Sequence, residues 1–136
     1  MRNAWRISGW YLFAVGIIHN FVGILIVRNI LRDILDAGII NSVGDQTDRN
    51  AAFWFLFAGF LFNFVGLLWQ QQIRRHQEPL SKFAAWGLTA MTVIGALIMP
   101  VSGFWIILPL CFIMLYPHYF VKPNAADKAE HKQALS

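Results

Sequence analysis

Residues 83–120 read FAAWGLTAMTVIGALIMPVSGFWIILPLCFIMLYPHYF, a run without a single Asp, Glu, Lys or Arg. As one helix it would be about 57 Å long, nearly twice the ~30 Å hydrocarbon core of a bilayer. The chain therefore has to turn inside it, and Pro100, Val101, Ser102 and Gly103 carry the turn-forming chemistry. The reading is a tight hairpin of two apolar helices, 83–99 and 104–120. Toward the N-terminus lie two more apolar stretches, 7–27 and 51–69. Each of the four is near the ~17 to 25 residues a helix needs to cross a membrane. The expected fold is all-α: an integral membrane antiparallel four-helix bundle, with one transmembrane domain over residues 1–121. The tail, 122–136, is rich in Ala, Lys, Asp, Glu and Gln without apolar periodicity and is expected to be disordered.

Composition points the same way. Hydrophobic residues make up 57% of the 136-residue chain and charged residues 13%, against roughly 25% charged in a soluble domain. The net charge of +4 does not form a nucleic-acid patch, because the basic residues flank the apolar runs. Arg2 and Arg6 precede the first span, Arg74, Arg75 and Lys82 join the second to the third, and Lys122, Lys128 and Lys132 follow the fourth. Arg28, Arg32 and Arg49 share the first loop with Asp33, Asp36, Asp45 and Asp48. The positive-inside rule then predicts both termini in the cytoplasm of a cell-membrane, multi-pass protein. All six tryptophans fall at or near span ends, where interfacial aromatic belts form. The first stretch follows arginines as a secretion signal does but meets no small-residue cleavage site, so it is expected to stay as an anchor. The partner this implies is the lipid bilayer, with a homo-oligomer or a membrane-protein partner as further options and nucleic acid excluded.

Between the first two spans, Ile30, Leu31, Ile34 and Leu35 recur at helical spacing opposite Arg28, Arg32, Asp33 and Asp36, with Gly38 as a stop. This stretch reads either as a helical extension of the first span or as an amphipathic helix on the outer surface; the plain account of its charges is a solvated helix face, and the sharper one a lid over an outward-facing opening.

Sliding the chain on itself by 43 residues aligns Gly16, Asn20, Phe21, Val22, Gly23 and Leu25 with Gly59, Asn63, Phe64, Val65, Gly66 and Leu68. Gly9 then meets Ala52, so small residues recur every seven positions in both spans: Gly9, Gly16, Gly23 and Ala52, Gly59, Gly66. Such positions form a packing seam, because membrane helices attract one another by close contact and not by hydrophobicity. Chance similarity between Gly- and Phe-rich apolar segments is the plain alternative.

Polar side chains inside the apolar runs are the candidate ligand-binding residues: His19, Asn20, Asn63, Thr89 and Thr92. Polar groups at that depth are costly unless paired, and an ionisable one is a functional candidate by default. The competing explanation is interhelical hydrogen bonding, favoured for the uncharged four. His19 stands evenly between the two. No mid-span carboxylate exists to couple protons to transport. His118, at the far end of its span, lies at the wrong depth to share a haem with His19. Cys111 is the single cysteine, which precludes an intramolecular disulfide or a multi-cysteine metal site. No phosphate loop, nucleophile elbow or metal-ligand spacing occurs, so no catalytic residue, metal or cofactor is assigned.

Arg6, Ser8 and Gly9 at the start, the His19 and Gly23 pair, Phe53 and Trp54, and Pro100, Ser102, Gly103, Phe104, Trp105 and Pro109 together resemble a family of small bacterial four-helix membrane proteins catalogued only as a domain of unknown function. The resemblance covers roughly residues 5 to 120 and is most specific in the PxSGFWxxxP run. It implies a bacterial cytoplasmic-membrane protein with this topology, and no activity. The leading functional expectation is a non-enzymatic bundle that binds a lipid or small molecule, or an accessory subunit, with a pocket near His19, Asn20 and Thr92. An oligomeric transporter is the second and an enzyme acting on a lipidic substrate the third.

Overall fold

The computed structural model describes residues 3–120. These form four α-helices and a short 3-10 turn, Ala4–Ile7, with no β-strand among the described residues. Helix α1 runs Ser8–Asp36, α2 Thr47–His76, α3 Lys82–Ile98 and α4 Phe104–Phe120. The tail after Phe120, expected to be disordered, lies outside the described residues.

The two apolar runs at the N-terminal side become longer helices than the spans drawn from hydropathy. In α1 the backbone departs from helical geometry once, at Val27 (φ −98°, ψ 15°), where the apolar run ends. Past this kink, the amphipathic segment is helical to Asp36. The stop is chemical: Ala37 N–H donates to Asp33 O and Gly38 N–H to Leu35 O, with Gly38 at φ +80°, the left-handed closure that glycine permits most cheaply. Helix α2 ends with Gln77 in the left-handed region (φ 55°), after Arg74, Arg75 and His76, whose charge complements the carbonyl end of the helix. Ser81 opens α3, its hydroxyl accepting the Ala84 N–H at 3.2 Å.

Helices α1 and α2 are long and apolar enough to cross a membrane. Helix α3 is apolar but has 17 residues, about 25 Å at 1.5 Å per residue and nearly a turn short of a ~30 Å core; α4 is apolar throughout its described residues. The length of α3 is capped at one end by Ser81 and at the other by the expected turn. There Trp105 Nε1 donates to Pro100 O at 2.7 Å, and Ile106 N–H to Gly103 O at 3.1 Å. The far end of the Phe104 ring lies against Gly95, where a β-carbon would meet it. The PxSGFW run is thus a turn closed by its own tryptophan.

The backbones neighbour one another in the order α2, α1, α4, α3, and the α1–α2 contact is the most extensive. Its register is antiparallel, with Gly9 facing Gly66 and Gly16 facing Gly59. A β-carbon on Gly9 would come within 2.5 Å of Gln70 N and 2.6 Å of Gly66 O; one on Gly66 would come within 2.6 Å of Phe13 N. These neighbours are main chain, which has no rotamer with which to retreat. Helix α4 docks on α1 through Leu12 and Val15, which join Leu110, Met114, Ile107 and Cys111 in two buried clusters. Helix α2 reaches those clusters through Phe62, Val65 and Trp69. Because Tyr11 Oη donates to Ile106 O at 2.8 Å and Val15 packs on Ile107, the tip of the α3–α4 hairpin stands beside the middle of α1. The distal halves of α1 and α2 therefore rise past it with only each other for support.

Candidate functional site

Four of the five candidate residues each have one polar atom engaged within the protein. His19 Nε2 donates to Phe55 O at 3.0 Å; a carbonyl can only accept, so this nitrogen carries the hydrogen. Its ring stacks on Phe55, with centroids 4.1 Å apart and an 18° interplanar angle, and meets the edge of Phe62. Asn63 Nδ2 donates to Phe13 O at 2.7 Å. Thr89 turns back on its own helix, donating to Ala85 O at 2.7 Å, the local bond that threonine makes inside helices. Thr92, fully buried, accepts from Cys111 Sγ at 3.7 Å.

Asn20 is the exception. It is buried (8% exposed), and its Oδ1 has no hydrogen-bond partner among the described residues. Its amide rests against Gly59, as that of Asn63 rests against Gly16. The 43-residue offset therefore relates two equivalent contacts, each an amide of one helix covering a glycine of the other. Only one of the two ends in a hydrogen bond.

His19, Asn20 and Asn63 are brought together at the α1–α2 contact. Thr89 and Thr92 are not with them: they sit in the α3–α4 hairpin, whose α3 backbone approaches neither α1 nor α2, although Thr92 meets Cys111, which packs with Val15 of α1. Two surface concavities occur elsewhere, one at Gly44, Asp45, Thr47, Asn50 and Ala51 and the other at Leu68, Gln71, Gln72, Arg75 and His76. Neither is lined by any of the five candidates. The amphipathic end of α1 covers none of them either. No group of three or more His, Cys, Asp or Glu is placed to hold a metal ion among the described residues.

The residue that sequence reasoning missed is Gln70. It is buried (6% exposed); its Oε1 accepts the Trp10 N–H at 3.2 Å and its Nε2 donates to Arg6 O at 2.9 Å. Arg6 and Trp10 are four residues apart, the spacing at which an α-helix would pair these two groups directly. Across the junction between the 3-10 turn and α1, the Gln70 amide makes both bonds in their place. His118 is a second such tie: its Nε2 donates to Leu80 O at 2.7 Å, holding the start of α3 against the end of α4.

One expected result follows for His19. With a single hydrogen bond to a carbonyl on the neighbouring helix, His19→Gln should fold and lose about 0.6 kcal/mol, the average for interhelical polar contacts. Thermal unfolding in detergent measures it; a loss of several kcal/mol would mean that the ring stacking on Phe55, and not the hydrogen bond, holds this point.

The class defined by this architecture is an all-α helical bundle with two helices long and apolar enough to span a membrane and polar side chains spent on cross-helix ties. A family model, the family of unknown function DUF6463, matches residues 3–120. The chain belongs to that family. No curated protein and no solved structure is detectably similar to it.

Proposed function

We propose that the protein is a non-enzymatic, multi-pass membrane bundle of the bacterial cytoplasmic membrane, with four spans, both termini inside, and a role in binding a lipid or in supporting a membrane partner. The observation that carries this reading is the use of its intramembrane polar groups. His19, Asn63, Thr89 and Thr92 are each engaged by another protein group, and neither surface concavity is lined by a candidate. General acid–base chemistry usually sets a base beside a second polar group, and His19 has no hydrogen-bonded side-chain partner among the described residues. The outward face supports the bilayer setting: Phe21, Phe60, Phe64 and Leu97 are between 59% and 77% exposed, side chains that a lipid environment accommodates without cost. Helix α3, short by nearly a turn, spans when the bilayer thins locally or flanking side chains snorkel.

Purification from native membranes in mild detergent, followed by lipid and protein mass spectrometry, tests the function. A stoichiometric lipid supports the binding reading and a stoichiometric protein the supporting one. Turnover of a lipid by the purified protein would contradict both.

A further inference from the structure

We infer that the end of the bundle carrying Arg6 and Arg74 binds the phosphate of an anionic phospholipid. This rests on the membrane reading above and adds the lipid class and the residues that select it. The Arg6 guanidinium lies over the Trp5 ring and that of Arg74 over the Trp10 ring, each 5.5 Å from the ring centroid. The two arginines come from different elements, the 3-10 turn and α2, and Gln70 ties the two backbones together. Its amide holds the main chain of Arg6 and Trp10, and Arg74 is the next side chain on the same face of α2, one turn on.

Both guanidiniums are exposed, and their planar forks match phosphate oxygens bidentately. An indole behind each one orients it without neutralising it, since cation–π contact leaves the N–H edge free. The charge balance favours an anion: Arg6, Arg74, Arg75 and Lys82 gather at this end against Glu78, while the four aspartates Asp33, Asp36, Asp45 and Asp48 lie at the opposite end. One step of seven residues away from the arginines, Ile17 extends the Trp10 face and Leu67 the Arg74 face, both exposed. A phosphate held by the arginines would thus have its acyl chains against apolar side chains, which a free phosphate cannot use.

Lipid binding to the detergent-solubilised full chain, measured by native mass spectrometry with phosphatidylglycerol and phosphatidylcholine, tests the proposal. Because the choline cation of phosphatidylcholine is repelled at the same two guanidiniums, the pair predicts a preference of about tenfold or more for phosphatidylglycerol. Arg6→Gln with Arg74→Gln should abolish it, and Arg75→Gln with Lys82→Gln, removing equal charge at the same end, should leave it. Equal loss in both double variants would reduce the site to diffuse charge and overturn the proposal. Displacement of the lipid by inorganic phosphate at comparable concentration would overturn the lipid as occupant. Reconstitution separates the two levels: a chain that does not insert into phosphatidylcholine vesicles defeats the membrane reading, and one that inserts but shows no headgroup preference defeats only this site.

Discussion

Gly66→Leu is expected to separate α1 from α2 and cost about 3 kcal/mol, the upper end of what overpacking commonly costs. At Gly59 the nearest obstacle to a β-carbon is the Asn20 amide, a side chain that can rotate away. At Gly66 it is the main chain of Phe13 and Gly9, so accommodation requires moving a whole helix. The two substitutions should therefore rank, with Gly59→Leu the milder. Leu61→Phe, at a half-exposed position two residues from Gly59, adds bulk outside the contact and should change stability little. Thermal unfolding of the three variants in one detergent checks the order; equal stability of Gly66→Leu and Leu61→Phe would remove the close approach from the account.

Gln70→Met is expected to cost about 2 kcal/mol, because it keeps the side-chain volume and leaves the Trp10 N–H and Arg6 C=O without their partner. Amide hydrogen exchange gives the specific signature. Trp10 N–H, protected in the parent by the Gln70 oxygen, should exchange much faster in the variant, while amides in the middle of α2 keep their protection. A Trp10 amide whose rate does not change would show that a backbone carbonyl, and not Gln70, holds it.

Much of the fold was legible because it depends on features that are local in sequence. The 83–120 run could not be one helix, and Pro100 to Gly103 offered the turn; Gly38 stopped α1 where a left-handed residue was needed. The glycines repeating at seven residues identified the positions at which α1 and α2 now come closest. Hydropathy ended α1 at Val27 and opened α2 at Ala51, yet both helices run further, since an amphipathic or polar segment continues a helix as readily as an apolar one.

The candidate site was less legible. Thr92 and His19 both lie within apolar runs, but which runs neighbour each other is a tertiary fact, and the α3 backbone neighbours that of α4 and no other element. Gln70 was hidden among Gln70, Gln71 and Gln72, three identical residues of which one is buried. A signal existed: Asn20 follows Gly16 by four residues, Asn63 follows Gly59 by four, and Gln70 follows Gly66 by four. A glycine with an amide one turn on is the recurring unit of this contact, and extending the repeat by one step reaches Gln70.

The central claim, a bundle lying in the bilayer with both termini inside, is tested most directly by topology reporters that are active on only one side of the membrane. Fusions after Gln72 and after Lys132 should report the cytoplasm, and a fusion at Gly44, in the loop between α1 and α2, should report the outside. A Gly44 fusion that behaves as cytoplasmic would contradict it.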